Sequence, residues 1–256
     1  MNTEELERYQ DRLMGLIPPE RIVKVDIPRV SQKVIDGFME LDGVTPTVSD
    51  ILDSMGVEGT IPANELRPVI NGKKIVGPAV TIRYIRDSHT PDYGYQNKEK
   101  AKLADRDVYA IAEQGDVPVF DAGGLGDISV MGGLSTLMAK HWGMAGNIVD
   151  GGVRDIDDIR KLDHPVWSRG QTPKTGKYRV EAVEINGPVE ISDVRVNPGD
   201  LIIADDSGVV VVPFDKAEEV LDLANEAAAK EDKIVRLVEQ GASVKELIKI
   251  LPPSKW

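Results

Sequence analysis

The feature that most constrains this chain is an alternation of short apolar runs and helical stretches between residues 117 and 169. Val117 to Asp121 has the length and β-branched content of a buried strand. Gly132 to Trp142 follows with helical spacing of Leu134, Leu137, Met138 and His141. Asn147 to Asp150 is a second strand, Asp155 to Leu162 a second helix, and Val166 to Arg169 a third strand. A β–α–β–α–β order requires parallel strands joined by right-handed crossovers. The fold class is therefore α/β. A structure placing Val117–Asp121 and Asn147–Asp150 in different sheets would contradict it.

The flanks are read in the same way. Asn2 to Leu13 is expected to form a polar helix, Ile17 to Val30 a connector with three prolines, and Ser31 to Leu41 a short helix. Thr47 is expected to open another helix through T-V-S-D, which Gly56 closes. Ile75 to Ile85 reads as a strand, Arg86 to Gln96 as an irregular loop of the kind that forms lids, and Lys98 to Gln114 as a helix. Tyr178–Ile185, Val189–Val196, Leu201–Ala204 and Val209–Val212 read as strands, with turns at Asn197–Asp200 and Asp205–Gly208. Asp215 is expected to cap a long amphipathic helix ending at Gly241. Ser243 and Glu246 form a further capping box before the P-P-S-K-W tail. This last part lies outside the β/α core and suits oligomer contacts or plain surface packing. No internal repeat is present, so the 256 residues form one domain, with a core over about 35–225 and helical extensions at 1–30 and 215–256.

Composition removes whole classes of function. Without cysteine there is no disulfide, thiolate nucleophile or iron–sulfur cluster. Three histidines supply a multi-histidine metal site only thinly. A net charge of −12 argues against a general nucleic-acid binder. It leaves acidic small molecules open, since these need only one local arginine. No apolar run approaches the roughly 20 residues that span a bilayer, and the acidic start does not resemble a signal peptide. The expected location is the cytoplasm, away from membranes.

Chemistry concentrates between Asp121 and Asp155, where two Gly-rich segments follow two successive parallel strands. Ligands of open α/β sheets bind at that edge. Gly123, Gly124, Gly132 and Gly133 either permit tight turns and close packing or, at 132–133, present amides to a carboxylate or phosphate. The segment fits neither a dinucleotide fingerprint nor a P-loop. In G-G-V-R-D (151–155), Asp155 is either a helix N-cap or a hard-cation ligand beside a substrate-holding Arg154. Arg154 alone would pair with Asp157 or Asp158 on the surface. Among the histidines, His89 lies in the 86–96 loop with Asp87, Tyr93 and Tyr95 and is the best placed for a site. His141 reads as packed, His164 as a turn residue, and Asp205 and Asp206 as turn residues.

D-A-G-G (121–124), the Gly-rich helix start (132–133) and D-G-G-V-R-D (150–155) resemble the class II 4-hydroxy-4-methyl-2-oxoglutarate aldolases. Their fold includes the regulator of ribonuclease E activity A, and the group is called RraA-like. T-V-S-D-I-L-D from Thr47, G-P-A-V-T-I-R from Gly77, P-V-W-S-R-G from Pro165 and the run from Pro198 to Pro213 agree in order and spacing. The resemblance implies a swivelling-type β/β/α domain assembled as a homotrimer or homohexamer, with sites near subunit interfaces. It implies that Arg154 holds a substrate carboxylate and developing enolate, that Asp155 binds Mg²⁺ or Mn²⁺, and that backbone N–H groups of Gly132, Gly133, Leu134 and Ser135 contact the substrate. The family carries an acid where this chain has Gly133, and Asp127 is the expected substitute. The expected activity is metal-dependent cleavage of a carboxylated 2-oxo acid, by retro-aldol cleavage or oxaloacetate decarboxylation. The alternatives are a non-catalytic protein-binding ring and a related metal-dependent enzyme with another substrate. His89 and the 86–96 loop are expected to border the site.

Overall fold

The computed structural model describes residues 6–250. In chain order the elements are α1 (Gln32–Glu40), α2 (Val44–Ser54), β1 (Thr60–Pro62), β2 (Arg67–Pro68), β3 (Ile75–Arg86), α3 (Pro91–Gln96), α4 (Asp105–Ile111), β4 (Val117–Met131) and α5 (Gly133–His141). There follow β5 (Asn147–Val153), α6 (Ile156–Leu162), β6 (Val166–Gln171), β7 (Val180–Ile185), β8 (Val189–Ile191), β9 (Val194–Val196), β10 (Leu201–Asp205), β11 (Gly208–Val212), α7 (Ala217–Glu239) and α8 (Val244–Ile250).

Nine strands form one sheet in the order β1-β11-β10-β3-β4-β5-β6-β2, with β7 also pairing β3. The strands β3, β4, β5 and β6 are mutually parallel, in registers such as Ala79↔Val117, Val119↔Ile148 and Asn147↔Val166. Val117–Asp121 and Asn147–Asp150 are thus neighbours in one sheet, as the alternation requires. The long β3 joins two regions. Its first half pairs antiparallel with β10, and its second half pairs parallel with β4 and antiparallel with β7.

Both faces of this sheet are covered, so its central strands read as unbroken apolar runs rather than alternating ones. Residues 75–82 and 208–212 are buried throughout. One core lies under α4, α5 and α6, and contains Tyr109, Phe120, Val149 and Ile159. A second, under the β8–β9 hairpin, holds Trp167, Ile191 and Val211. A third packs α1, α2 and α7 through Phe38, Leu52 and Val220.

Several expectations need correction. Of the helix expected over 2–13, residues 6 and 7 are helical and 8–12 form turns, while 1–5 and 251–256, with the whole P-P-S-K-W tail, lie outside the described residues. The second helix opens at Val44 rather than Thr47, because Gly43 takes the left-handed start (φ 53°) and Thr47 Oγ1 bonds back to the Gly43 carbonyl at 3.2 Å. The 98–114 helix shrinks to α4. The 86–96 loop contains α3. Strand 189–196 is a hairpin, turned at Ser192 and Asp193, whose positive φ angles (46° and 64°) match the right-handed twist of tight hairpins. Asp215 lies in a 3₁₀ turn, and Lys216 precedes α7 without a side-chain cap. The Ser243–Glu246 box forms as expected, Ser243 donating from N and Oγ to Glu246 Oε2 at 2.8 and 2.7 Å. Among the described residues no helix is long and apolar enough to cross a membrane.

Candidate active site

The site grows from the ends of two neighbouring parallel strands. β5 ends at Val153, and Arg154 is anchored to β4 by its N–H, which donates to the Met131 carbonyl at 3.1 Å. Asp155 then adopts left-handed backbone angles, φ 56° and ψ 44°. Such a conformation costs a residue with a Cβ roughly 1–2 kcal/mol, least for Asp and Asn. The turn aims the carboxylate across at the start of α5, where Gly133 N–H donates to Asp155 Oδ2 at 3.0 Å. Arg154 Nε lies 3.5 Å from the same oxygen. Asp155 therefore bridges strand end and helix start instead of capping its own helix.

Glycine at 132 is required by space. A Cβ there would stand 2.6 Å from Asp155 Oδ2. At 133 a Cβ would come within 3.1 Å of both Asp158 Cβ and Asp158 Oδ2. The place to which an acidic side chain at 133 would extend is held by the Asp158 carboxylate, reaching over from α6.

Arg154, Asp155, Gly132, Leu134 and Ser135 line a cavity of about 320 Å³, at the small-ligand end of the usual range. Asp127 is not among its lining residues. Its carboxylate is exposed and paired with Lys174 Nζ at 2.6 Å, which holds it below the usual carboxylate range. The expected substitution of Asp127 for the acid absent at 133 thus has no geometric support: Ser129, Val130 and Met131 of the same strand line the cavity, while Asp127 faces Lys174 outside it. His89 also lies outside the lining. Its half-exposed ring stacks on Tyr93 at 4.3 Å, and the His89 backbone N–H donates to Asp87 Oδ1 at 3.1 Å. The 86–96 stretch approaches the cavity through Tyr95 instead, whose ring lies 5.2 Å from the Lys177 ammonium.

The structure adds residues that the sequence reading passed over. α4 brings Asp105 and Arg106 to the cavity, and Lys177 and Leu16 line it too. Burial pushes the Asp105 carboxyl above its ordinary value, opposed by a hydrogen bond from Ser135. That bond ends a buried chain. His164 Nε2 donates to Asn147 Oδ1 at 2.7 Å, and Asn147 Nδ2 donates to the Tyr109 hydroxyl at 3.2 Å. The Tyr109 hydroxyl in turn shares a hydrogen bond with Ser135 Oγ at 2.9 Å, in which either oxygen can donate, and Ser135 lies beside Asp105. His164 is thus a buried core residue rather than a turn residue, its pKa lowered by burial to about 4. His141 is exposed rather than packed. Next to Arg106, Asp107 accepts backbone N–H bonds from Met14, Leu16 and Ile17 at 2.7, 2.5 and 3.1 Å. It thereby fixes the N-terminal segment that carries Leu16.

The D-A-G-G segment has another role. Asp121 accepts from Gly123 N–H at 2.9 Å, and the neighbouring Asp150 binds Arg169 Nε at 2.5 Å. Arg169 also reaches Glu65 and Ser192. This network ties the sheet edge to the β8–β9 hairpin.

Residues 45–211 match the family model described as RraA-like: Aldolase/RraA. The chain belongs to the RraA-like family. It is 31% identical to a putative 4-hydroxy-4-methyl-2-oxoglutarate aldolase from Halalkalibacterium halodurans, over 82% of this chain and 91% of that protein. It is 31% identical to protein DlpA of Legionella pneumophila over 90% of this chain, but spans only 35% of DlpA. Among solved RraA-like structures, RraAS2 of Streptomyces coelicolor, described as an unusual member of the RNase ES inhibitor RraA family, superposes with a TM-score of 0.68. Its identity is 27%, over 81% of this chain and 98% of that one. A Pseudomonas syringae protein superposes with a TM-score of 0.72 at 29% identity, over 86% and 98%. RraA-like relatives thus include proteins named as aldolases and proteins named as RNase inhibitors.

Proposed function

We propose that this RraA-like chain is a divalent-metal-dependent lyase that breaks a carbon–carbon bond of a carboxylated 2-oxo acid. Retro-aldol cleavage and oxaloacetate decarboxylation are the two forms of the reaction. The observation that carries this reading is the convergence of Asp155, Arg154 and the Gly133 N–H at one wall of the cavity. Among the described residues no group of three or more His, Cys, Asp or Glu is placed to hold a metal. A single half-exposed carboxylate, with water and substrate oxygens completing the shell, fits Mg²⁺ or Mn²⁺. Asp155 would be the protein ligand, and the bound cation would supply polarisation of the 2-oxo carbonyl.

The protein's own groups do the remaining work. Arg154 pairs with the carboxylate and with the negative charge that grows on the former 2-oxo oxygen as the bond breaks. A fixed cation is most effective at such a point. N–H groups at the start of α5 orient the carboxylate. Leu134 and Leu137, 59% and 49% exposed beside the cavity, support assembly into a homotrimer or homohexamer through this face.

The test is pyruvate release from a panel of 2-oxo acids with Mg²⁺ or Mn²⁺. Activity abolished by chelator and by Asp155→Asn is the expected result. Chelator-insensitive release, or full activity in Asp155→Asn, would overturn the assignment.

A further inference from the structure

A second cavity shares a wall with the first. It measures about 640 Å³ against about 320 Å³, a size that suits a small organic ligand. One side is the N-terminal segment, which contributes Leu13, Leu16, Ile17, Pro18 and Ile22. The other side comes from the stretch before α4, from α4 itself and from β7, with Ala182 as its apolar floor. Leu16 lines both cavities. The N-terminal wall lies outside residues 45–211, which carry the family match. Most charges on the lining already have partners. Asp107 accepts the three backbone N–H groups of the segment. Glu181 lies 2.8 Å from Lys102 Nζ and 3.8 Å from Arg21 Nη1, and Lys102 also reaches Asp87 at 3.3 Å. Among the described residues, this leaves one acid and one base on the lining without an oppositely charged partner, Glu99 and Lys100. Lys100 Nζ donates to the Gly15 carbonyl, which uses one of its three N–H donors.

We infer that this second cavity is a ligand site of its own, and that its ligand is an α-amino acid with an aliphatic side chain. Lys100 takes the carboxylate and Glu99 the ammonium. The side chain covers the apolar wall of Leu13, Ile17, Pro18 and Ile22. A simple anion or a simple cation would pair with one of the two charged residues and leave the other unanswered beside it. A zwitterion answers both. Because Leu16 belongs to both walls, a ligand that packs the segment down in the second cavity also completes the wall of the first, so the two sites are coupled. The site does not depend on the reaction proposed for the first cavity.

The experiment measures affinity, with chelator present, so that neither metal nor turnover enters. Leucine, 4-methylpentanoate and 3-methylbutylamine share one aliphatic body. The second lacks the ammonium and the third lacks the carboxylate. All three are titrated by calorimetry into the full-length protein. Leucine is expected to bind about tenfold or more tighter than either truncated probe, a 1.4 kcal/mol advantage. Glu99→Gln is expected to weaken leucine about tenfold and leave 4-methylpentanoate unchanged. Lys100→Gln is expected to weaken both and leave 3-methylbutylamine unchanged. The unchanged probe in each variant shows that the cavity is still folded. Arg154→Gln is expected to leave leucine affinity as it is, since Arg154 lines only the first cavity. Absence of leucine binding, equal affinity for the three probes, or leucine affinity unchanged in both Glu99→Gln and Lys100→Gln would overturn the site. Loss of leucine binding in Arg154→Gln would place the ligand in the first cavity and overturn it too.

Discussion

Asp155 gives a test in which stability and function separate. Its carboxylate accepts the Gly133 N–H at 3.0 Å while its backbone sits at φ 56°. Asp155→Ala loses the hydrogen bond, about 1 kcal/mol at a half-exposed site, and leaves a Cβ without polar compensation in the left-handed region, about 1 kcal/mol more. The expected loss is about 2 kcal/mol. Asp155→Gly loses the same hydrogen bond, but glycine enters this region freely, so the two effects offset to within about 0.5 kcal/mol. Both variants lack the carboxylate and should lose Mn²⁺ affinity and turnover alike. Urea unfolding with chelator present, which removes stabilisation by bound metal, gives the stabilities. Mn²⁺ titration followed by electron paramagnetic resonance gives the binding. If the glycine variant is less stable than the alanine variant, the strain argument is wrong. If it still binds Mn²⁺, the ligand assignment is wrong.

Other consequences can be checked directly. Asp107→Ala leaves three backbone donors unanswered and should cost about 3 kcal/mol or more; unchanged urea stability and unchanged protease resistance around residues 8–19 would contradict this. His164 is held neutral by burial, with a pKa near 4 against an ordinary value of 6.5. An unfolded chain therefore takes up that proton first, and stability falls as pH drops from 6.5 to 4, by up to about 3 kcal/mol. His164→Gln should flatten that limb of the stability curve, and an unchanged limb would refute the assignment. Asp105 is shifted the other way. Its folded form keeps the proton longer, so ionisation costs stability as pH rises above about 4. Asp105→Asn should then be at least as stable as wild type at pH 7, with the advantage gone at pH 3; a variant weaker at pH 7 would count against a carboxyl raised by burial. Asp127→Asn should leave pyruvate release within about twofold, since an exposed pair contributes little, whereas Asp158→Asn should lower both release and Mn²⁺ affinity.

The parallel strands at 117–121, 147–150 and 166–169 were legible because their cue is local: apolar runs of strand length alternate with helical spacing. The Arg154–Asp155 turn was legible for a similar reason, since its two residues are adjacent in the chain. Other features depend on contacts between distant segments. Nothing in G-G-L-S foretells that Asp158 sits where a side chain on residue 133 would point. An acid such as Asp105 in a polar stretch looks solvated until Ser135 and Tyr109 are seen around it. The hairpin at 189–196 was hidden because its turn uses Ser192 and Asp193 rather than glycine. The helix at 98–114 was overestimated because charged residues allow, but do not compel, a helix.

The grip of Asp107 on residues 14–17 makes one wall of the cavity a detachable part. Leu16 belongs to that wall only while the segment is docked, and the docking carboxylate is the chain neighbour of Arg106. Apparent ligand affinity is then the intrinsic affinity scaled by the docked fraction. The reverse also holds by thermodynamic reciprocity: an occupied cavity that touches Leu16 draws the segment down. Amide exchange at Met14, Leu16 and Ile17, the three donors to Asp107, would slow on ligand binding and report occupancy without any assay of turnover.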